Sequence, residues 1–142
     1  MAANNVSLVI PENHQKTMID HADQNRHVEV CGMLGGLIQG NLWRIANCIP
    51  TKNVAADTRT NYAIDPAQFV EGFFALQQQQ KRLLGIYHSH PFGPSTPSPT
   101  DIAQTTWPDL VYVILYPTDD DNFAISAWQI VNKQAYPVSV KS

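Results

Sequence analysis

Cysteine is scarce in this chain of 142 residues: Cys31 and Cys48 are the two present, and they do not form a Cys-x-x-Cys pair. Nothing in their spacing argues for a disulfide. Charge is also sparse, at 15% of residues with a formal net charge of −3, and no basic stripe occurs. Without such a stripe, neither nucleic acid nor an anionic membrane is the expected partner. Long apolar runs are missing too. The richest, Gly32 to Ile38 and Leu110 to Leu115, are strand-sized and too short to cross a bilayer. The start, Met1-Ala2-Ala3-Asn4-Asn5, lacks the basic residues and apolar core of a signal peptide, so a cytoplasmic location is the expectation. No repeat or interdomain linker is visible.

What is present is enough apolar matter to fold. Apolar residues make up 44% of the chain, and its length fits one domain, 1–142, around one core. Val6 to Ile10 reads as a strand, and Pro11 opens a helix reaching about Asn25. Cys31 to Gln39 and Leu42 to Ile49 read as antiparallel strands across the Gly40-Asn41 turn. After a polar loop, Thr51 to Asn61, Asp65 caps a helix with Pro66 in its first turn. Phe69, Phe73 and Leu76 recur on it at helical spacing and are expected to face the core. Strands are then predicted at Leu83 to Ser89, Val111 to Tyr116, Phe123 to Val131 and Tyr136 to Val140. This mixed order belongs to the α/β (α+β) class.

The informative stretch runs from His88-Ser-His90-Pro to Ser98-Pro-Thr-Asp101. Side chains two apart on a strand share a face, so His88 and His90 can reach one metal ion. The proline- and glycine-rich loop then turns the chain, and Asp101 can return as a third ligand. Two nitrogens and a carboxylate oxygen suit Zn²⁺, one per chain, with the fourth position open to water as in catalytic zinc sites. Hydrolysis also needs a base to carry the water proton to the leaving amine. Glu29, just before the strand that starts at Cys31, is the natural candidate.

Plainer readings account for some of these residues. Ser98-Pro-Thr-Asp101 is a good capping box, which explains that piece without a metal but leaves the two histidines unexplained. Glu29 could be a solvated carboxylate. Cys31 is better read as a small buried residue than as a nucleophile. His14, His21 and His27 read as surface residues, and Trp43, Trp107 and Trp128 as core or groove residues.

His-x-His-Pro followed by Ser98-x-x-Asp101 resembles the signature of the JAMM/MPN+ zinc metalloproteases, and Val28 to Gly36 resembles that family's upstream Glu-x-Cys-Gly block. Gly85-Ile86-Tyr87 and Trp107 to Leu115 extend the likeness over most of the chain. The resemblance implies a mixed β-sheet sandwiched by helices on a cytidine-deaminase-like core. It implies zinc on His88, His90 and Asp101, Glu29 as general acid/base, and Ser98 as hydrogen-bond donor to the developing oxyanion. It also implies hydrolysis after the C-terminus of a ubiquitin-like or sulfur-carrier protein. The larger deubiquitinating members carry an insertion with a second zinc after the metal Asp; this chain has no counterpart, which favours a stand-alone enzyme for a small ubiquitin-like protein. A small-peptide or cysteine-releasing metallopeptidase is the alternative. A non-catalytic MPN scaffold ranks behind because the ligand set is complete. A RadC-like DNA-repair role ranks behind because no DNA-binding region is present. Oligomeric state is left open by the sequence.

Overall fold

The apolar stretches become seven strands and three helices in the computed structural model, which describes residues 5–105 and 107–142. Residues 1–4, the start read as unlike a signal peptide, lie outside the described residues. In chain order the elements are β1 (Ser7–Val9), α1 (Glu12–Asp23), β2 (Cys31–Gln39), β3 (Leu42–Thr51) and α2 (Pro66–Gln78). Then follow β4 (Arg82–Ser89), α3 (Pro99–Gln104), β5 (Val111–Pro117), β6 (Phe123–Val131) and β7 (Gln134–Lys141). β2 and β6 keep the bounds expected from their flanking turns, whereas β1 is shorter than expected and β3 and β7 are longer.

The mixed sheet closes on itself in the order β1-β3-β2-β4-β5-β6-β7, with β1 parallel to both β3 and β7. β2 and β4 are antiparallel, whereas β4 and β5 are parallel. One core cluster takes residues from all seven strands, among them Leu8, Leu34, Ile45, Tyr87, Val113, Ala127 and Val138, together with Met18 and Ala22 of α1. Gly32 makes room there for the Tyr87 ring, because a Cβ at that position would stand 2.2 Å from a ring carbon. A smaller cluster joins Ile86, Leu110, Tyr112 and Ile130, with Tyr62, Ile64 and Ile102 packed against it.

The α2 helix begins as expected, with the Asp65 carboxylate accepting from the Gln68 N–H and Pro66 in the first turn. Its core face differs from the expectation. Gly72 and Leu76 are the buried positions, and Gly72 lies so close to Met33 that a Cβ would meet its sulfur at 2.7 Å. Because the helix seats on that glycine, Phe73 is turned away and is 40% exposed, while Phe69 stacks on Trp107 with ring centroids 5.3 Å apart. His21 is a second departure: it is half-buried and shares a 2.7 Å hydrogen bond with the Tyr87 hydroxyl. Both cysteines are free thiols. No helix among the described residues is long and apolar enough to cross a membrane.

Candidate metal centre

Strand pairing builds one side of the site. Cys31 stands opposite His88 in the β2–β4 pair, and the Ser89 N–H donates to the Val30 carbonyl at 3.0 Å. Continuing that register brings Glu29 level with His90, on the strand face that carries His88. The β4 strand ends there, and the His90 N–H donates to the Leu115 carbonyl at 2.8 Å.

The following loop is pinned at two carbonyls. His90 Nδ1–H donates to the Pro94 carbonyl at 2.8 Å. The Ser95 carbonyl accepts from the Ser126 hydroxyl at 2.6 Å and from the Trp128 indole N–H at 3.1 Å, so β6 holds the loop down. α3 then starts with a complete capping box: the Ser98 hydroxyl accepts from the Asp101 N–H at 3.0 Å, and Asp101 Oδ2 accepts from the Ser98 N–H at 2.9 Å. The capping reading is therefore real, and it aims the same carboxylate at the two histidines.

Three side chains converge. His88 Nε2 and His90 Nε2 are 3.1 Å apart, and Asp101 Oδ2 lies 3.2 Å from the first and 3.0 Å from the second. All three are available as ligand atoms for one ion. Ligands 2.0–2.1 Å from a tetrahedral zinc stand about 3.3 Å from one another, so the spacing fits such an ion without large movement. The tautomer fits as well: with His90 Nδ1–H committed to Pro94, its Nε2 lone pair is free for a metal. Two imidazole lone pairs facing each other repel unless a proton or a cation lies between them.

Without a metal, the two rings divide these roles. Burial holds His88 below the usual histidine range, outweighing Asp101. Burial also acts against the His90 cation, but the bonds to Asp101 and to the Pro94 carbonyl outweigh it and raise that group. Burial alone would lift Asp101; its bonds to His88 and His90 instead hold it well below the usual carboxylate range.

Glu29 is only 7% exposed, and its Oε1 has no hydrogen-bond partner among the described residues. Burial pushes its carboxyl up to about 7, opposed by His90 and assisted by Asp101. That is the range a group needs to take and return a proton at neutral pH. Burial also raises the Cys31 thiol, which approaches the Thr51 hydroxyl, in keeping with a structural cysteine.

Two neighbours of the site were not singled out individually in the sequence, although the loop from Thr51 to Asn61 is a reasonable place for groove residues. Tyr62 stacks on His88, and Asn53 bonds to the Glu29 carbonyl at 2.8 Å. Both come from the polar excursion between β3 and α2, where neither strand nor helix periodicity marks a residue as important.

Comparison with known proteins identifies the family and the fold. The family model described as prokaryotic homologs of the JAB domain matches residues 11–131. The desampylase of Haloferax volcanii is 37% identical over 89 residues, a stretch that covers 63% of this chain and 63% of that protein. The CysO-cysteine peptidase of Mycobacterium tuberculosis is 30% identical over 125 residues, covering 88% of this chain and 84% of that protein. In fold, the solution structure of a Desulfitobacterium hafniense protein matches with a TM-score of 0.84 at 22% identity, covering 94% of this chain and 90% of that one. The chain belongs to the prokaryotic JAB-domain family.

Proposed function

We propose that this chain is a zinc-dependent isopeptidase or peptidase that cleaves after the C-terminus of a ubiquitin-like or sulfur-carrier protein. The observation that carries the reading is the convergence of His88 Nε2, His90 Nε2 and Asp101 Oδ2 within 3.0–3.2 Å of one another, beside a buried Glu29. In this reading those three atoms hold one zinc ion. Bound there, Zn²⁺ would lower the pKa of a water to about 7 and polarise the scissile carbonyl.

The chain's own residues handle the protons. Glu29 takes the proton released as water oxygen adds to the carbonyl carbon. It gives that proton to the amine nitrogen as the C–N bond breaks, leaving a carboxylate and a free amine. The Ser98 hydroxyl accepts the Asp101 N–H and still has its own proton to donate. In this reading that proton goes to the developing oxyanion.

A protein-sized substrate is supported by the surface next to the metal centre. Tyr62, whose ring covers His88, also lines an apolar groove of about 410 Å³ with Ile64, Phe69 and Trp107. Val70, Phe73 and Phe74 are exposed along α2. The same reading takes residues 1–142 as one catalytic domain acting in the cytoplasm, on protein rather than nucleic acid or membrane. Its core would be cytidine-deaminase-like, a reading supported by a mixed sheet with α1 packed against one cluster and Gly72 of α2 against Met33.

The test is to incubate the protein with a ubiquitin-like sulfur carrier bearing a C-terminal extension, with and without a zinc chelator, and to follow products by mass spectrometry. A chelator-sensitive cut after the carrier's terminal Gly-Gly is expected. Release of a single amino acid, with longer extensions left intact, would favour the second reading: a cysteine-releasing or small-peptide metallopeptidase. That reading draws on the CysO-cysteine peptidase, whose match covers 88% of this chain. An intact carrier beside one bound zinc per chain would overturn the substrate assignment.

A further inference from the structure

One oxygen of the Glu29 carboxylate, Oε1, is buried and without a hydrogen-bond partner among the described residues. A group in that situation keeps its aim only if its main chain is fixed. The sheet does not supply this, because paired β2 begins at Cys31 and the last cross-strand bonds to β4 are made by Val30. Glu29 is instead tied at both peptide groups to the excursion between β3 and α2. Its N–H donates to the Thr58 carbonyl at 2.7 Å, and its carbonyl accepts from Asn53 Nδ2 at 2.8 Å.

Asn53 uses its side chain fully. Nδ2 donates to the Glu29 and Asn61 carbonyls at 2.8 and 3.0 Å, and Oδ1 accepts from the Ala55 and Ala63 N–H groups, each at 3.0 Å. Two donated and two accepted bonds fix the amide orientation, because a flip would set N–H against N–H and oxygen against oxygen. The excursion does not depend on this side chain alone for closure. Val54 N–H donates to the Ala63 carbonyl at 2.8 Å, Asp65 N–H to the Lys52 carbonyl at 3.1 Å, and Asn53 and Ile64 form a backbone bridge. Among the described residues, only the Asn53 amide supplies a side-chain bond from this excursion to the Glu29 carbonyl.

We infer that Asn53 is a positioning residue for Glu29, anchoring the main chain of the proton carrier to the loop beside the metal centre. The inference rests on the reading of Glu29 as general acid/base. A displacement of about 1 Å at a reacting group can cost on the order of 100-fold in rate, so one tether can matter without touching substrate.

Two variants separate the tether from loop closure. Asn53→Ala removes all four bonds. Asn53→Asp keeps an oxygen for the Ala55 and Ala63 N–H groups but has no proton for the Glu29 carbonyl, and it serves if the alanine variant does not fold. Each would be assayed on the extended sulfur carrier for kcat and KM, alone and combined with Glu29→Gln, with zinc content measured throughout. Amide hydrogen exchange at Glu29 would be measured in parallel.

The expected result is unchanged zinc and KM, with kcat about 10- to 100-fold lower. The loss should disappear in the Glu29→Gln background, because a residue acting through the carboxylate has nothing left to position. Exchange at the Glu29 amide should quicken about 10-fold. Wild-type kcat in Asn53→Asp, an equal further loss on top of Glu29→Gln, or unchanged Glu29 exchange would each overturn the inference. Should the wild type leave the carrier uncut, that counts against the isopeptidase reading alone, and the exchange comparison still decides for or against Asn53.

Discussion

The ring of Tyr62 lies on the ring of His88, with centroids 4.3 Å apart and planes 20° from parallel. His88 is 1% exposed, and its Nδ1 has no hydrogen-bond partner among the described residues. Stacking thus orients this imidazole where a hydrogen bond normally does. Tyr62→Ala should weaken zinc binding about 10-fold, and Tyr62→Phe should leave it unchanged. Competition with a chelating dye measures both.

Removing the metal ligands has a different signature from removing the base. His90→Ala should lose both zinc and activity. Glu29→Gln should keep one zinc per chain while cleavage falls on the order of 100- to 10,000-fold. Metal analysis alongside a rate assay distinguishes the two, and cleavage that survives Glu29→Gln would remove Glu29 from its role.

Glu29 also predicts a pH dependence for the zinc-free protein. Burial raises its carboxyl from the ordinary 4.5 to about 7, so the folded chain holds this proton more tightly than the unfolded chain. Between those values the native state binds more protons, and the stability associated with this group falls as pH rises. Glu29→Gln should therefore melt like the wild type at pH 4 and be the more stable of the two at pH 8. The gap should be on the order of 3 kcal/mol. Thermal melts in the presence of chelator at the two pH values would show it, and an equal gap at both would contradict it.

Ser98 combines two effects that come apart on substitution. Ser98→Ala removes the hydroxyl that caps α3, at about 1 kcal/mol of stability. It should also lower kcat about 100-fold through loss of the oxyanion donor. Ser98→Thr keeps a hydroxyl and should restore most of both. A kcat that follows the small stability loss alone would leave Ser98 as a cap only.

The β2 backbone is packed so tightly under Tyr87 that Gly32→Ala should destabilise the fold by about 1–3 kcal/mol. A denaturant midpoint shift at constant slope would measure it.

The parts of this structure that could be read from the sequence are those written locally. The bounds of β2 follow from the Gly40-Asn41 turn, and the α3 cap from Ser98 and Asp101 three residues apart. His88 and His90 reveal themselves through the two-residue repeat of a strand. The expectation for Phe69 and Phe73 failed because helical spacing marks an apolar face without saying which neighbour it meets. Gly72, which carries no apolar signal, took the seat against Met33. Asn53 lies 24 positions from the carbonyl it holds, and Tyr62 lies 26 from the ring it covers. Contacts at such distances leave no periodic trace.

The parallel pairing of β1 with both β3 and β7 has a consequence for how the sheet closes. Among the described strands β1 comes earliest in the chain, yet one of its two neighbours is β7, more than 120 residues away. Without Gln134–Lys141 in place, β1 and β6 would each present an open edge able to pair with another molecule. Closure of the sheet thus waits on β7, and loss of that strand would leave both edges open.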